Sequence, residues 1–593
     1  MNPGSPCHRP SLLLAFLRDY QKVLILGFLS VIAASGFALA IPWLLKEAID
    51  NLGVTGSGGR VGRLALGIVL AAILQGLFRF HARMTMVGAS RHAEYALRNR
   101  LLAHLLRLDP AGHARMTTGD LMARGSQDLS VFRTLIGAGP MHLAGTVLTI
   151  LSTVTLMIVI DPLLTAAAVL PYPLLFAFLM RLKRRMQTRF TAAQEAFSQL
   201  STRAQESLAG VRMVKAYTME RHVIRDFDRL NEGYLQHHLA AARLEATYYP
   251  LTMVTGGVGV VAVLALGGVR VLEGALTLGA FVAFNGYLAM LLWPTVGMAW
   301  LTNLYQRGRV AADRIAAVLA TEPAICDPDA PLPLAQVRGN ITIRHLTFTY
   351  PPSPAEQARA PALVDVTLEA SAGEFVLLVG PVGGGKSTLL HLLLRLWEIP
   401  AGRIFLDGID VTRLRLADLR GAIRSAPQDP FLFSETVRWN VAFGNPEANE
   451  ALIWWALELA QFAEEVQALP QQLDTIIGER GVTLSGGQRQ RLTLARALVS
   501  QPRVLLLDDA LSNVDAETEA TILQSVRAAL PHTTLLLATH RLSAAVQQAD
   551  RIVVLDGGAV TEVGTHATLL DRGGLYARLW SSQERLRTLE EVA

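Results

Sequence analysis

Phe375-Val376-Leu377-Leu378-Val379-Gly380-Pro381-Val382-Gly383-Gly384-Gly385-Lys386-Ser387-Thr388 joins an apolar run to a glycine-rich turn, and Leu389-Leu390-His391-Leu392-Leu393-Leu394 follows it. The first run reads as a buried strand and the last as a helix. Between them stands G-x-x-x-x-G-K-[ST], the phosphate loop, in the strand-to-helix setting it requires. Glycines at 380, 383, 384 and 385 let the backbone curl with its N–H groups inward, next to the positive end of a helix. That geometry suits a nucleotide polyphosphate. Lys386 is expected to reach its β- and γ-phosphates, with Thr388 beside it, and Ser387 to hold Mg²⁺.

A chain of 593 residues exceeds one core. Its charged fraction is 17%, low against about 25% for soluble domains, and its mean hydropathy is +0.34. Apolar residues dominate roughly the first 310 positions, and an ordinary α/β mixture follows. A net charge of +5 is compatible with a nucleic-acid partner. The Lys and Arg cluster beside hydrophobic stretches, however, which favours membrane orientation over a nucleic-acid footprint. Cys7 and Cys326 lie too far apart in sequence to suggest a disulfide framework or a metal site.

No signal peptide is read at the start, and Ser11–Tyr20 suits an interfacial helix. Six stretches are long enough to cross the bilayer: 22–46, 63–87, 137–160, 163–181, 247–269 and 277–301. Short turns join the first and second, third and fourth, and fifth and sixth, the last turn running from Gly268 to Gly274. The alternate connections, 88–136 and 182–246, are long, and Arg91, Arg98, Arg100, Arg107, Lys183, Arg184 and Arg185 are among their basic residues. Lys and Arg concentrate on the cytoplasmic side, so both termini and the second half are expected there. Each long connection reads as helices extending into water, broken once, at Asp109-Pro110-Ala111-Gly112 and at Ala209-Gly210-Val211. Short transverse helices at these tips would carry motion between layers.

Few ionisable residues sit inside the spans. Trp43, Tyr172, Phe176, Tyr248, Tyr249, Phe284, Tyr287 and Trp293 supply aromatic surface for packing, for interfacial belts or for a cavity. A cavity lined by them would take an amphipathic or apolar cargo. The Pro-rich stretch Leu319–Pro333 marks a boundary. The expected plan is an N-terminal segment 1–20, a transmembrane domain 21–318, a linker 319–338 and a nucleotide-binding domain 339–593.

In the second half, Ile341–Tyr350 alternates like a strand, and Tyr350 could stack on an adenine ring. Val504-Leu505-Leu506-Leu507-Asp508-Asp509 is an apolar strand ending in carboxylates. Asp508 is placed to engage Mg²⁺, and the next carboxylate to orient an attacking water. In Leu484-Ser485-Gly486-Gly487-Gln488-Arg489-Gln490-Arg491, a Ser and two glycines are placed to open a helix and bind a phosphate.

With these segments in place, the chain closely resembles the ATP-binding cassette exporters over nearly its whole length. Gln428 matches the Q-loop and the residues around Glu479 the X-loop, while Ser512-Asn513-Val514-Asp515 matches the D-loop and His540 stands at the switch histidine. The resemblance implies an α-helical membrane domain of six transmembrane helices with long cytoplasmic extensions, followed by an α/β P-loop ATPase domain with a helical signature subdomain. It implies ATP and Mg²⁺ as cofactors, with Ser387, Gln428 and Asp508 around the metal, and two such chains in one working unit. ATP would lie between one domain's phosphate loop and Ser485, Gly486, Gly487 and Gln488 of the other, Glu479 and Asp515 would couple the two, and alternating access would move an amphipathic substrate across a cell membrane.

One residue departs from the family pattern. Glu usually follows the Walker-B aspartate, and here Asp509 stands, one methylene shorter. A catalytic base must come within about 2.6–3.2 Å of its proton, directly or through one water. The expectation is nucleotide binding with slow hydrolysis at this chain's own site, resembling the weakened subunit of heterodimeric exporters, with a catalytic Glu on a different partner chain. A homodimer with slow turnover and a nucleotide-gated channel on the same scaffold are the alternatives.

Overall fold

The computed structural model describes residues 12–52, 58–334, 336–351, 359–478, 481, 484–542 and 545–592. The chain divides into two compact units, one of residues 1–102 and 122–320 and one of residues 103–121 and 321–593.

The first unit is helical. Helix α1 (Leu12–Asp50) and α2 (Gly58–Leu105) are followed, past the 103–121 segment, by a π-helical turn at Arg124–Asp128. Short α3 (Pro110–Ala114), which belongs to the second unit, and α4 (Thr118–Ala123), most of which does, precede that turn. Next come α5 (Leu129–Ile136), α6 (Ala138–Ile160), α7 (Pro162–Val169) and α8 (Pro171–Ala209). Then follow α9 (Val211–Ala216), α10 (Glu220–Ala262), α11 (Gly268–Leu272) and α12 (Leu278–Ala320). Among the described residues, 18–50, 58–105 and 118–160 are helical stretches long and apolar enough to span a membrane; 257–272 and 278–291 are shorter apolar ones.

The long connections are helical extensions, as expected: α2 runs on to Leu105, and α8 and α10 form a long antiparallel pair. Three local expectations need correction. The fourth span is divided at Leu170, because Pro171 lacks an N–H and opens a new helix. Helix persists past Gly268 to Leu272, so the turn falls later, with Gly274 at φ 72°. At the first tip the long helix does break, but it ends at Leu105, a few residues earlier than expected, and Asp109 and Pro110 start the short helix α3. Asp109 accepts the Gly112 N–H at 3.0 Å, the N-cap arrangement, and Pro sits in the first turn where its missing N–H costs nothing. The second tip carries α9 where a short helix was expected.

Phe284 and Tyr287 are fully buried, packed with Met157, Leu164 and Val263, and the Tyr287 hydroxyl donates to the Leu39 carbonyl at 2.9 Å. They are packing residues, not a cavity surface. Trp43 is half-buried with the Lys46 ammonium 4.7 Å from its ring centre. The side chains of Tyr172, Phe176, Tyr248, Tyr249 and Trp293 lie outside the described residues.

The second unit holds two sheets. An antiparallel sheet has the order β2-β1-β4-β5, from β1 (Ile341–Phe348), β2 (Leu363–Ala370), β4 (Ile404–Leu406) and β5 (Ile409–Asp410). The larger has the order β10-β9-β3-β8-β7-β6, from β3 (Phe375–Val379), β6 (Ile423–Ala426), β7 (Val504–Asp508), β8 (Thr534–Ala538), β9 (Arg551–Asp556) and β10 (Ala559–Gly564). Only β10 runs antiparallel. Phe375, Leu377, Leu505 and Leu507 enter one core, and Val376, Leu378, Val504 and Leu506 the other. Both sheet faces are therefore covered, which is why these strands are apolar at every position.

Candidate functional site: a phosphate loop at the carboxyl edge of the sheet

Parallel strands deliver their following loops to one edge, where ligands of open α/β sheets bind. Asp508 pairs with Ala538 and Ala426 with Leu507, so the turns after β6, β7 and β8 leave the sheet side by side. The loop after β3 leaves at the same edge, since Leu378 pairs with Ala538. That edge collects Gly380–Ser387, Gln428, Asp509 and His540.

The loop's tightness comes from β9. A Cβ at Gly380 (φ 150°) would lie 2.0 Å from the Leu555 carbonyl oxygen, so only glycine lets the chain turn there. Gly385 caps helix α13 (Lys386–Leu393), whose first N–H groups face into the curl. The Lys386 ammonium donates to the Gly380 and Pro381 carbonyls at 2.9 Å each, which holds it inside the loop. Burial lowers its pKa, against the opposing pull of Asp509 and Asp508.

Ser387 Oγ donates to Asp508 Oδ1 at 2.8 Å, and burial raises the Asp508 pKa. A hydroxyl and a desolvated carboxylate facing one point fit Mg²⁺, a hard cation that takes one or two protein oxygens and shares the rest with phosphates and water. With the cradle of loop N–H groups beside them, these residues fit Mg²⁺ and a nucleotide polyphosphate together. The Tyr350 hydroxyl donates to Thr388 Oγ1 at 3.0 Å, and its ring stands edge-on to Phe348 and Trp397. The fold thus closes the sequence gap between that aromatic and the loop.

Asp509 lies just past β7, buried, with a left-handed φ of 49°. Its Oδ2 is 3.0 Å from His540 Nδ1, and its Oδ1 accepts from Thr539 Oγ1 at 3.3 Å. Gln428 is exposed, two residues past the end of β6.

Ser485 and Gln488 form a capping box at the start of the helix Gly486–Leu498. A Cβ at Gly487 would lie 2.7 Å from the Asn513 carbonyl oxygen, so the signature glycine lets the D-loop approach. Asp515 caps the next helix through the Thr518 N–H at 2.9 Å, and that bond lowers its pKa. Glu479 lies outside the described residues.

Two glutamines that sequence reasoning missed hold these loops together. Buried Gln490 accepts the Asn513 N–H at 2.8 Å and donates to Ser512 Oγ at 2.9 Å and the Asp509 carbonyl at 3.4 Å, tying signature helix, D-loop and Walker-B end into one body. Gln583, on the helix Leu575–Val592, donates to the His540 carbonyl at 2.6 Å and accepts the Leu542 N–H at 2.7 Å. Gln490 stands within the stretch Leu484–Arg491 that opens the signature helix, but nothing in that stretch reveals its partners, and no local motif marks Gln583.

Residues 24–295 match the family described as ABC transporter transmembrane region, and residues 363–512 match ABC transporter. The chain is 35% identical to the probable multidrug resistance ABC transporter ATP-binding/permease protein YheI of Bacillus subtilis, covering 97% of both chains. It is also 35% identical to the multidrug resistance-like ATP-binding protein MdlA of Escherichia coli, again over 97% of each. A bacterial Atm1-family ABC exporter solved with ATP bound superposes with a TM-score of 0.78 at 27% identity, covering 95% of this chain and 99% of that one. The chain therefore belongs to the ATP-binding cassette transporters, binding ATP with Mg²⁺, coupling its hydrolysis to transport, and joining transmembrane region and ATPase domain in one polypeptide.

Proposed function

We propose that this chain is one half of a heterodimeric exporter that carries amphipathic or hydrophobic compounds across a cell membrane by alternating access, and that its own ATP site binds firmly but hydrolyses slowly. Residues 21–318 form the membrane domain, 319–338 the linker and 339–593 the cytoplasmic nucleotide domain, with 1–20 as an N-terminal segment. Tyr350, Gly380, Gly383–Lys386 and Thr388 bind the nucleotide. Ser387, Asp508 and Gln428 surround Mg²⁺, and Asp509 and His540 stand where hydrolysis is directed. Ser485–Gln488 close on the ATP of the partner, a different chain supplying the catalytic Glu, with Asp515 and Glu479 coupling the two domains. The multidrug names of two full-length relatives favour the cargo class.

The observation that carries this reading is the Asp509 carboxylate. It is one methylene shorter than the usual Glu, and both its oxygens lie against groups of its own domain, His540 and Thr539. Losing a positioned base typically costs about 10²–10⁴ in rate. The test is ATP turnover by the purified chain alone and by its co-purified complex. Slow turnover alone with recovery in a mixed complex supports the heterodimer. Brisk turnover by a dimer of identical chains would sink it.

A further inference from the structure

Two cavities in the membrane unit share a wall and differ in chemistry. One, of about 500 Å³, is lined by Gln75, Arg79, His142, Thr146 and Trp300. The other, of about 740 Å³, is lined by Ile25, Phe28, Leu29, Leu143 and Leu304, and Leu301 belongs to both.

Arg79 follows a run, Leu64–Phe78, without a charged residue, and its side chain is exposed to the cavity. Among the described residues it has no hydrogen bond or ion pair. Arg83 stands one turn further on, and both guanidinium groups act electrostatically on His142. A charge kept in a membrane helix without a partner marks a ligand path. A guanidinium binds carboxylate, sulfate or phosphate through paired N–H donors.

The two cavities follow the same order on four elements. The apolar one uses residues 24–29 of α1, and the polar one 31–38; on α2 the pair is 86 and 75–82. On α6 it is 139–143 and 141–149, with Leu135 and Ile136 of α5 adding to the apolar cavity alone, and on α12, 298–305 and 294–301. Allowing for alternating helix directions, the polar cavity lies roughly one to two turns further from the ends that carry the long extensions.

We propose that the two cavities bind one amphiphile with a single anionic head at Arg79 and its apolar tail among Phe28, Leu29, Leu143 and Leu304, the head nearer the membrane centre than the tail. This rests on the export reading and on the extensions facing the cytoplasm. A lipid resting in the inner leaflet has the opposite order, so a molecule seated here has already turned its head toward the far side.

The test uses the complete dimeric assembly in nanodiscs and reads ATPase stimulation by three amphiphiles of equal tail length: lysophosphatidylglycerol, lysophosphatidylcholine and an alkyltrimethylammonium. Inorganic phosphate is the tail-free arm. The anionic lipid is expected to reach half-maximal stimulation at a concentration at least about tenfold lower than the zwitterion, and phosphate alone not to stimulate. Arg79→Gln should merge the anionic and zwitterionic curves, and Arg79→Glu should move the preference to the ammonium. Because each preparation is judged by its ratio between head groups, a loss of folded protein leaves the readout intact. If neither variant can be purified, the unmodified assembly still decides: equal potency of the three heads overturns the proposal. Anionic preference surviving Arg79→Gln would also overturn it, and stimulation by phosphate alone would remove the tail. Silence toward every amphiphile would instead defeat the export reading itself.

Discussion

The part of the nucleotide site that can hold phosphate and the part that would direct attack on it share one edge of the sheet but are built differently. The first is one continuous stretch, Gly380–Thr388, pressed against Leu555 so closely that a single Cβ has no room. The second is assembled from three chain segments: Asp509 after β7, Thr539 and His540 after β8, and Gln583 reaching in from a helix near the end of the chain. Grip is written locally, whereas the geometry of hydrolysis is a tertiary product. A chain can therefore keep one while the other drifts.

Substitutions at four residues probe that contrast. Lys386→Ala should have the largest effect, weakening ATP binding by about 10²-fold or more as its charge-assisted phosphate contacts are lost; nucleotide titration of the purified chain reads it. If affinity barely changed, grip would not reside in the loop. Asp509→Glu should raise turnover at this chain's own site by about tenfold or more while leaving ATP affinity within about twofold, measured by single-turnover hydrolysis. An unchanged rate would place the limitation elsewhere.

Gln583→Ala, made in the Asp509→Glu background, should lower kcat about three- to tenfold with KM unaltered, because two hydrogen bonds that position the His540 segment are gone. Gln583→Glu, which keeps only the bond from the Leu542 N–H, should fall between. A matched change in KM would mean general loosening.

The smallest effect is on stability. Burial raises the Asp508 pKa, so this carboxylate's contribution to stability is fully present below its unfolded value near 3.9 and is lost as pH rises through the folded one. At neutral pH Asp508 is therefore a cost. Asp508→Asn, which can still accept from Ser387, should raise the thermal midpoint on the order of 2 °C at pH 7, and the gain should vanish near pH 4. A fall at pH 7 would contradict the burial argument.

The same contrast explains what the sequence made readable. Strand β3, the loop and α13 form one contiguous pattern in which propensity, glycine placement and burial agree, and the apolar runs of β7 and β8 were equally plain. Gln490 and Gln583 were opaque because their partners lie on other segments, Gln583 being 43 residues from His540 in sequence. In the membrane unit, aromatic residue type does not separate a cavity wall from the core: Phe284 and Tyr287 are core. Hydropathy weighs residue type and not direction, so it also passed over Arg79, whose exposure to a cavity only the packing of neighbouring helices reveals.

Asp509 also carries a lesson in its backbone. Left-handed φ values cost an ordinary L-residue roughly 1–2 kcal/mol, and Asp is among the few side chains that visit them readily. The shorter acid thus relaxes a turn that Glu would occupy under tension. On the proposed reading, Asp509→Glu would then revive turnover while making the domain slightly easier to unfold.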